Sequence, residues 1–318
     1  MTEIVKKLAQ QVRPTRDLLS GIETDLLERS ETPKYPLTTM PEFSKKIFGL
    51  HKGLTVIGAR SSMGKSALAL QIAKDLSTQQ IPTLLLSLEM DVPSMIERLF
   101  CQTMEVDNYD VLCGRINTVP AIRDKWNRFK EFVVEIPLLL TNGIGKSFAE
   151  VTQLIQYMKP KPEVVIVDYI QGIKQSDKER AELNEYIRNF RQLMIENKMV
   201  GILASQMNRQ VIDNRDNRPS LENLKSTGVL EEHADMVIML FWEWFYTRKD
   251  EDKNNYEIIV GKNRNGKTGS HELHYIPEYY LFREVSCAPA PARPKFGMSV
   301  TYTHAMAIFD AKETKESV

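Results

Sequence analysis

The sequence predicts an α/β fold with a mostly parallel central sheet flanked by helices. Seven apolar stretches have the length and character of buried strands: LTVIG, TLLLSLE, PLLLT, EVVIVDY, MVGILASQ, DMVIML and YEIIV. Helical segments separate them, such as SALALQIAKDL, in which Ala67, Leu70, Ile72, Ala73 and Leu76 recur at helical spacing. Near-continuous apolar strands that alternate with helices are typical of a parallel sheet covered on both faces.

Composition places the chain among soluble globular proteins. Its 318 residues are 42% hydrophobic and 26% charged, and the formal net charge is zero. No apolar run approaches the roughly 18 residues of a membrane helix, so we expect no membrane association. Three cysteines without a C-x-x-C pair favour a reducing, cytoplasmic setting over a disulfide framework. Any contact with nucleic acid would need a local basic patch.

Three segments are predicted along the chain. Residues 1–43 form an N-terminal helical segment and linker, which ends in the proline-containing stretch SETPKYPLTTMPEF. Leu18, Ile22 and Leu26 give the helical part an apolar stripe. Residues 44–285 form the domain of strands and helices. Residues 286–318 form a C-terminal tail that is expected to be flexible.

Two stretches are candidates for a phosphate-binding loop. GKNRNGKTG (261–269) matches G-x-x-x-x-G-K-[ST] throughout, whereas GARSSMGKS (58–66) has Ala59 where the first glycine should stand. Such a loop requires a strand that ends where a helix begins, because backbone N–H groups and the helix dipole then converge on the phosphates. Only 58–66, between LTVIG and SALALQIAKDL, has that setting. We therefore predict that it binds the nucleotide, provided that the φ angle of Ala59 is negative.

The predicted loop assigns roles to two side chains. Lys65 would reach the β- and γ-phosphates, and Ser66 would bind Mg²⁺ through its hydroxyl. The remaining residues of the predicted nucleotide site are Gly58, Ala59, Arg60, Ser61, Ser62, Met63, Gly64 and Ala67.

The segment 261–269 is predicted to be a hairpin instead. The strand YEIIV precedes it, and GSHELHYIPEYYLF, which follows, has the aromatic content of a returning strand. Asn265 and Gly266 form a natural hairpin turn. The segment 261–269, although it matches the motif more closely, is therefore predicted not to be the phosphate-binding loop.

Two acidic residues stand at predicted strand ends. Asp168 ends EVVIVD and could reach the water shell of the metal. Glu89 follows TLLLSL and could accept a proton from the attacking water. A solvent-exposed carboxylate is the alternative interpretation of each. The four apolar residues before Asp168 favour the metal-binding role, whereas for Glu89 the residues alone do not decide.

Five motifs in order carry a family resemblance. GARSSMGKSALALQIA, LSLEM, VVIVDYIQ, LASQMNRQV and GKNRNGKTG resemble the ATPase domain of the DnaB-type replicative helicases, in the RecA-like superfamily. The resemblance covers about residues 45–285 and implies a RecA-like P-loop ATPase core preceded by an N-terminal linker helix. It also implies ATP and Mg²⁺ as cofactors. The family shares the alanine at position 59.

The resemblance also implies the site residues. Lys65 and Ser66 would contact the nucleotide and Mg²⁺, and Asp168 would contact the metal. Glu89 would be the catalytic base, and Gln206 would sense the γ-phosphate.

The hairpin gains a role from the same resemblance. Lys262 and Arg264 are two apart on a predicted strand, so both should project from one face. In the family this hairpin points into the ATP site of the neighbouring subunit, which makes Arg264 the implied arginine finger and Lys262 a second phosphate contact. A solvated basic hairpin is the alternative.

DNA contacts are predicted in polar loops that carry basic residues, as binding of a single strand requires. The family's DNA loop aligns with NLKSTG, which gives Lys225 and the backbone of Gly228. Ser226 stands where the family usually has glutamate. Lys174 and Arg209 are further candidates, with a solvated surface as the alternative.

The resemblance implies a ring-forming, ATP-driven helicase, a homo-oligomer expected to be a hexamer. It would move 5′ to 3′ on single-stranded DNA or a forked duplex. The family's N-terminal collar domain is expected to be missing, which puts primase recruitment through a collar in doubt, although a helicase loader or primase stays a candidate partner. The N-terminal helix would dock on an adjacent subunit. The alternatives are a RecA- or RadA-like ATPase that coats DNA and a KaiC-like ring that binds proteins.

Overall fold

A computed structural model describes residues 14, 15, 19, 23, 33–168, 179–207, 217–224, 227–253 and 255–285. The predicted stripe of Leu18, Ile22 and Leu26 and the predicted tail 286–318 lie outside the described residues.

The described part of the chain alternates helices and strands. The helices are α1 (Pro41–Ile47), α2 (Lys65–Thr78), α3 (Val92–Met104), α4 (Asn108–Leu112), α5 (Pro120–Val134), α6 (Phe148–Tyr157), α7 (Glu179–Glu196), α8 (Thr227–His233) and α9 (Trp244–Thr247). The strands are β1 (Gly53–Ala59), β2 (Thr83–Ser87), β3 (Leu138–Asn142), β4 (Val164–Asp168), β5 (Val200–Gln206), β6 (Met236–Trp242), β7 (Asn255–Asn263), β8 (Gly269–Ile276) and β9 (Leu281–Glu284).

The strands form one sheet in the order β3-β2-β4-β5-β1-β6-β7-β8-β9. The pairs from β3 to β6 are parallel, and those from β6 to β9 are antiparallel. All seven predicted strands are present, and the prediction of a mostly parallel α/β sheet is confirmed. The strand after the hairpin is shorter than expected, because Pro277, which has no N–H to donate, begins a 3₁₀ turn and β9 follows as a separate strand.

Each face of the sheet packs against helices. Alternate side chains of β1 enter different clusters, with Ile57 in one and Val56 in the other. The first cluster includes residues of α2, α3 and α5, and the second includes residues of α6 and α7. This arrangement explains why the central strands are apolar throughout. Strand β3, at the edge, is only half-buried.

The compact unit begins at Tyr35, ahead of the predicted boundary at residues 43 and 44. Tyr35, Leu37, Met40 and Phe43 are all buried, and α1 already begins at Pro41. Prolines prevent a regular strand here, but they do not prevent the apolar side chains between them from packing in the core. Residues 35–43 therefore belong to the domain rather than to the linker.

Candidate active site

The segment 58–66 connects β1 to α2, as predicted. Ala59 is the last residue of β1 and is not among the residues with positive φ, so the condition set for it is met. The turn is completed by Ser62 and Gly64, whose φ angles are 66° and 76°. A Cβ atom on Gly64 would lie 2.9 Å from Cζ of Phe282. Glycine therefore satisfies both the backbone conformation and the close contact.

The amino end of α2 points out of this turn without a side-chain cap. Its first N–H groups therefore lack the acceptor that a serine or aspartate would provide at that position. Together with the positive end of the dipole of this 14-residue helix, they favour an anion. Phosphate groups fit this position.

Three charged residues meet at the carboxyl edge of the sheet. Burial lowers the pKa of Lys65, while the nearby carboxylates of Asp168 and Glu89 act in the opposite direction. The ammonium group thus lies in the field of both acids that the sequence predicts for the site. A bound phosphate would favour the protonated lysine further.

Asp168 is the last residue of β4 and its exposed fraction is 3%. Its Oδ1 atom has no hydrogen-bond partner among the described residues, and Ser66 lines the same cavity. An unsatisfied buried carboxylate oxygen beside a hydroxyl fits a hard cation such as Mg²⁺. No cluster of three His, Cys, Asp or Glu side chains occurs in the described ranges. Mg²⁺ is usually bound by one or two protein oxygens together with substrate phosphates and water, so Ser66 and Asp168 are the residues that would hold it.

Glu89 follows β2 on an exposed bend beside β4. Ser87 and Asp168 are paired in register, and Leu88 donates its backbone N–H to the carbonyl oxygen of Asp168 over 2.6 Å. The Ser87 hydroxyl accepts from the N–H groups of Met90 (2.8 Å) and Glu89 (3.3 Å). Ser87 therefore shapes the bend that carries the predicted base. Sequence reasoning missed it, although a serine that ends an apolar strand is a common signal of such a turn.

Gln206 lies beside the phosphate loop. It ends β5 and is the register partner of Ala59, and the next residue, Met207, donates its N–H to the Ala59 carbonyl over 2.9 Å. Because β2, β4, β5 and β1 are consecutive in the parallel part of the sheet, their carboxyl ends lie along one edge. The predicted positions Glu89, Asp168, Gln206 and Lys65 are thereby brought to that edge.

Arg60, inside the loop, is held by the aromatic segment that follows β6. Its guanidinium carbon lies 5.5 Å from the ring centroid of Phe245 and 5.4 Å from that of Tyr246. Both rings are half-buried and pack against the core. These contacts have the geometry of cation–π interactions.

The second motif, 261–269, lies in a hairpin, since β7 and β8 are antiparallel and no α-helix follows within the described residues. The turn is longer than the predicted Asn-Gly pair, because Val260 pairs with Gly269. Strand β7 ends at Asn263, so Arg264 lies in the turn and not on the strand as expected. Lys262 and Arg264 still share a contact: Nζ of Lys262 and Nη2 of Arg264 both donate to the carbonyl oxygen of Glu232, over 3.4 and 2.9 Å.

Arg264 lies near the amino ends of the parallel strands, whereas the phosphate loop of its own chain lies at their carboxyl ends. It is paired with Asp235, which also accepts from the N–H of Leu54 near the start of β1. The loop follows Ala59, at the other end of that strand. Five residues of strand separate the two positions by roughly 16 Å.

Of the predicted DNA contacts, only Gly228 is among the described residues. It is exposed in the first turn of α8. Lys174, Arg209 and Lys225 lie outside the described ranges. In the part of the chain that the structure covers, no helix has the length and apolarity to cross a membrane.

Sheet order, phosphate loop and strand-end acids together define a P-loop nucleotide-binding protein of the RecA-like class. More narrowly, residues 37–284 match the model of the DnaB-like helicase C-terminal domain, and the chain belongs to this family.

Relatives agree with this assignment. The chain is 26% identical over 276 residues to the replicative DNA helicase DnaC of Bacillus subtilis. The aligned segment covers 81% of this chain and 59% of that protein. It is 26% identical over 261 residues to the replicative DNA helicase DnaB of Geobacillus stearothermophilus, covering 77% and 55%. The chain thus spans little more than half the length of these relatives.

Two solved structures share the fold. One is an ATPase domain, which superposes with a TM-score of 0.78 at 25% identity, over 87% of this chain and all of that one. The other is a DnaB-like replicative helicase, described together with its interactions with primase. It gives a TM-score of 0.77 at 25% identity over 87% of this chain and 68% of that one.

Proposed function

We propose that this chain is an ATP-driven DNA helicase motor that works as a ring, a hexamer, and hydrolyses ATP between adjacent subunits. One observation carries the proposal: Lys65, Glu89, Asp168 and Gln206 lie along one edge of four consecutive parallel strands, beside an uncapped helix terminus. This arrangement suits phosphoryl transfer, in which catalysis depends on positioning and electrostatic stabilisation.

Each residue has a role in this mechanism. Lys65 binds the β- and γ-phosphates, and Ser66 and Asp168 hold Mg²⁺, which neutralises charge on the phosphates when bound. Glu89, on its exposed bend, orients the attacking water and accepts its proton. Gln206 is close enough to the loop to respond to the γ-phosphate.

Arg264 acts on the neighbouring subunit's nucleotide. Its position at the edge opposite its own phosphate loop supports this assignment, as does its side-chain exposure of 46%. Lys262 has an additional role, because its Nζ donates to the main-chain carbonyls of Glu231 and Glu232 in the last turn of α8. Burial and the neighbouring Arg264 lower the pKa of Lys262. We propose that it braces the turn as well as contacting phosphate.

A mixture of two inactive variants tests the shared site. Arg264→Ala should bind ATP but hydrolyse it slowly, since an arginine finger contributes about 10³–10⁵ to the rate in other ATPases. Glu89→Gln should also bind and fail to hydrolyse. After subunit exchange, the mixture should recover activity at interfaces that combine an intact Glu89 with an intact Arg264. No recovery despite demonstrated exchange would contradict a site built by two subunits.

Single-stranded DNA is the proposed substrate, contacted by Lys174, Arg209, Lys225 and the backbone of Gly228. A primase or a helicase loader is the proposed protein partner. A forked duplex with a labelled strand tests the function directly: we expect strand separation that requires ATP and is lost in Lys65→Ala. ATPase activity stimulated by DNA without strand separation would favour the RecA- or RadA-like alternative. No response to DNA would favour a protein-binding ring.

A further inference from the structure

We propose that Asp235 is a positioning residue that holds Arg264 in the orientation in which it meets the nucleotide of the next subunit. The inference rests on the proposed trans-acting role of Arg264. Asp235 stands between α8 and β6 and belongs to none of the motifs that predicted the site.

Asp235 accepts hydrogen bonds from Arg264 through both its main chain and its side chain. Nη1 of Arg264 donates to Oδ1 of Asp235 over 3.0 Å, and the backbone N–H of Arg264 donates to the Asp235 carbonyl over 2.8 Å. Nη2 donates to the carbonyl oxygen of Glu232 over 2.9 Å. The guanidinium is therefore held at both of its terminal nitrogens, and the remaining donors of its planar fork are left for a ligand.

The carboxylate that holds Arg264 is itself fixed. Oδ2 accepts from the N–H of Leu54 over 2.9 Å, and Oδ1 also accepts from Nη2 of Arg191 in α7 over 2.9 Å. The N–H of Asp235 donates to the Leu54 carbonyl over 2.8 Å. A Cβ atom on Gly53, whose φ is +107°, would lie 2.4 Å from Oδ2. Only glycine leaves room for the carboxylate at that place.

The charge state of Asp235 suits this role. Burial alone would favour the neutral form, but hydrogen bonds from Arg191 and Leu54 and the charge of Arg264 lower the pKa of Asp235. The carboxylate is thus ionised at neutral pH. With 16% of its side chain exposed, it lies mostly inside the fold, whereas Arg264 is 46% exposed.

An arginine finger whose side chain is already held in one orientation stabilises the transition state better than one whose side chain moves freely. The long side chain loses rotamer freedom when it engages a phosphate, and a preorganised charge has already lost it before the transition state. The same carboxylate also pairs with the guanidinium of Arg191. Its single negative charge is therefore shared between two arginines and does not fully neutralise Arg264. Asp235 would therefore orient the positive charge without removing it.

Asp235→Asn tests the proposal in the full chain with ATP and single-stranded DNA. The amide keeps the shape of the carboxylate but loses its charge. We expect nucleotide affinity close to wild type and a kcat about 10- to 100-fold lower, the loss typical of a misplaced catalytic group. Adding Asp235→Asn to Arg264→Ala should cause no further loss. Asp110→Asn is the matched control, since Asp110 pairs with Arg115, whose side chain is similarly exposed, and neither residue is proposed to contact nucleotide or Arg264.

Mixed rings separate positioning from a loss of stability. An Asp235→Asn subunit keeps its own Glu89, and a Glu89→Gln neighbour supplies an Arg264 that Asp235 still holds. Mixing the two variants should therefore restore activity, which a folding defect within the Asp235→Asn subunit would not allow.

Three results would overturn the inference: a wild-type rate for Asp235→Asn where Arg264→Ala is inactive, a rate above wild type, or no rescue in mixed rings. A wild-type rate for Arg264→Ala itself would instead refute the finger, and the positioning role with it.

Discussion

The hydroxyl of Tyr256, in β7, donates a hydrogen bond to the main-chain carbonyl of Met63 in the phosphate loop. Both residues are buried, and the rings of Phe282 and Tyr275 pack beside Tyr256. The same strand ends at Asn263, directly before Arg264. Seven residues of strand span roughly 23 Å. Strand β7 therefore contacts the nucleotide loop of its own subunit at one end and leads into the turn proposed to serve the next subunit at the other.

Tyr256→Phe should destabilise the phosphate loop. The change leaves the Met63 carbonyl without its donor, and an unsatisfied buried polar group costs about 1–3 kcal/mol. We expect the free energy of unfolding in urea to fall by about that amount and nucleotide affinity to weaken. Tyr157→Phe is the control, because the Tyr157 side chain is exposed. Equal behaviour of the two variants would show that the hydroxyl is not important.

The two candidate phosphate loops can be separated by one pair of variants. Lys65→Ala should abolish nucleotide binding, because Lys65 begins the helix whose uncapped amino end is proposed to bind the phosphates. Lys267→Ala should leave binding intact, since Lys267 is exposed in the hairpin turn. Titration with a fluorescent nucleotide measures both. The reverse outcome would contradict the assignment of the loop.

Ser87→Ala should slow hydrolysis more than it weakens binding. Its hydroxyl is the acceptor for the N–H groups of Met90 and Glu89, so its loss would free the bend that carries the proposed base. We expect a lower kcat with a similar KM for ATP, measured with and without DNA. Ser77→Ala is the control, because the Ser77 hydroxyl, also buried, donates only to the Ala73 carbonyl within α2. An unchanged kcat in Ser87→Ala would argue against control of Glu89 by this bend.

The effect of Thr38→Val on stability should depend on pH. Burial raises the pKa of Asp75, and hydrogen bonds from Thr38 and Thr39 oppose this shift. A carboxyl with a raised folded-state pKa contributes stability that is full below its unfolded pKa of about 3.9 and is lost as pH rises through the folded value. Loss of the Thr38 hydroxyl raises that pKa further. The variant should therefore be more destabilised at pH 8 than at pH 5.

Urea denaturation at the two pH values checks this prediction. Thr78→Val serves as the control, because the Thr78 hydroxyl donates to the main-chain carbonyl of Asp75 over 2.6 Å and not to its carboxylate. The cost of Thr78→Val should be the same at both pH values. A cost of Thr38→Val that does not change with pH would show that Asp75 does not titrate in this range.

Sequence by itself determined the central strands, the strand-to-helix setting of 58–66, the hairpin at 261–269 and the position of the acids at the strand ends. Those features are local, because a strand followed directly by a helix is visible in GARSSMGKS and its flanks. Parallel strands also bring their carboxyl ends to one edge whatever their order. The motifs for Lys65, Asp168 and Glu89 could thus be predicted without knowing the topology.

Tertiary structure alone decided how the hairpin is held. The pairing of Asp235 with Arg264 and of Tyr256 with Met63 depends on β6 lying between β1 and β7, an order that no local pattern encodes. The start of the domain at Tyr35 was equally hidden, because whether an apolar side chain between prolines is buried depends on the distant surface that it meets. Contacts between residues far apart in sequence exist only once the chain has folded, and these contacts join the phosphate loop, the sheet and Arg264.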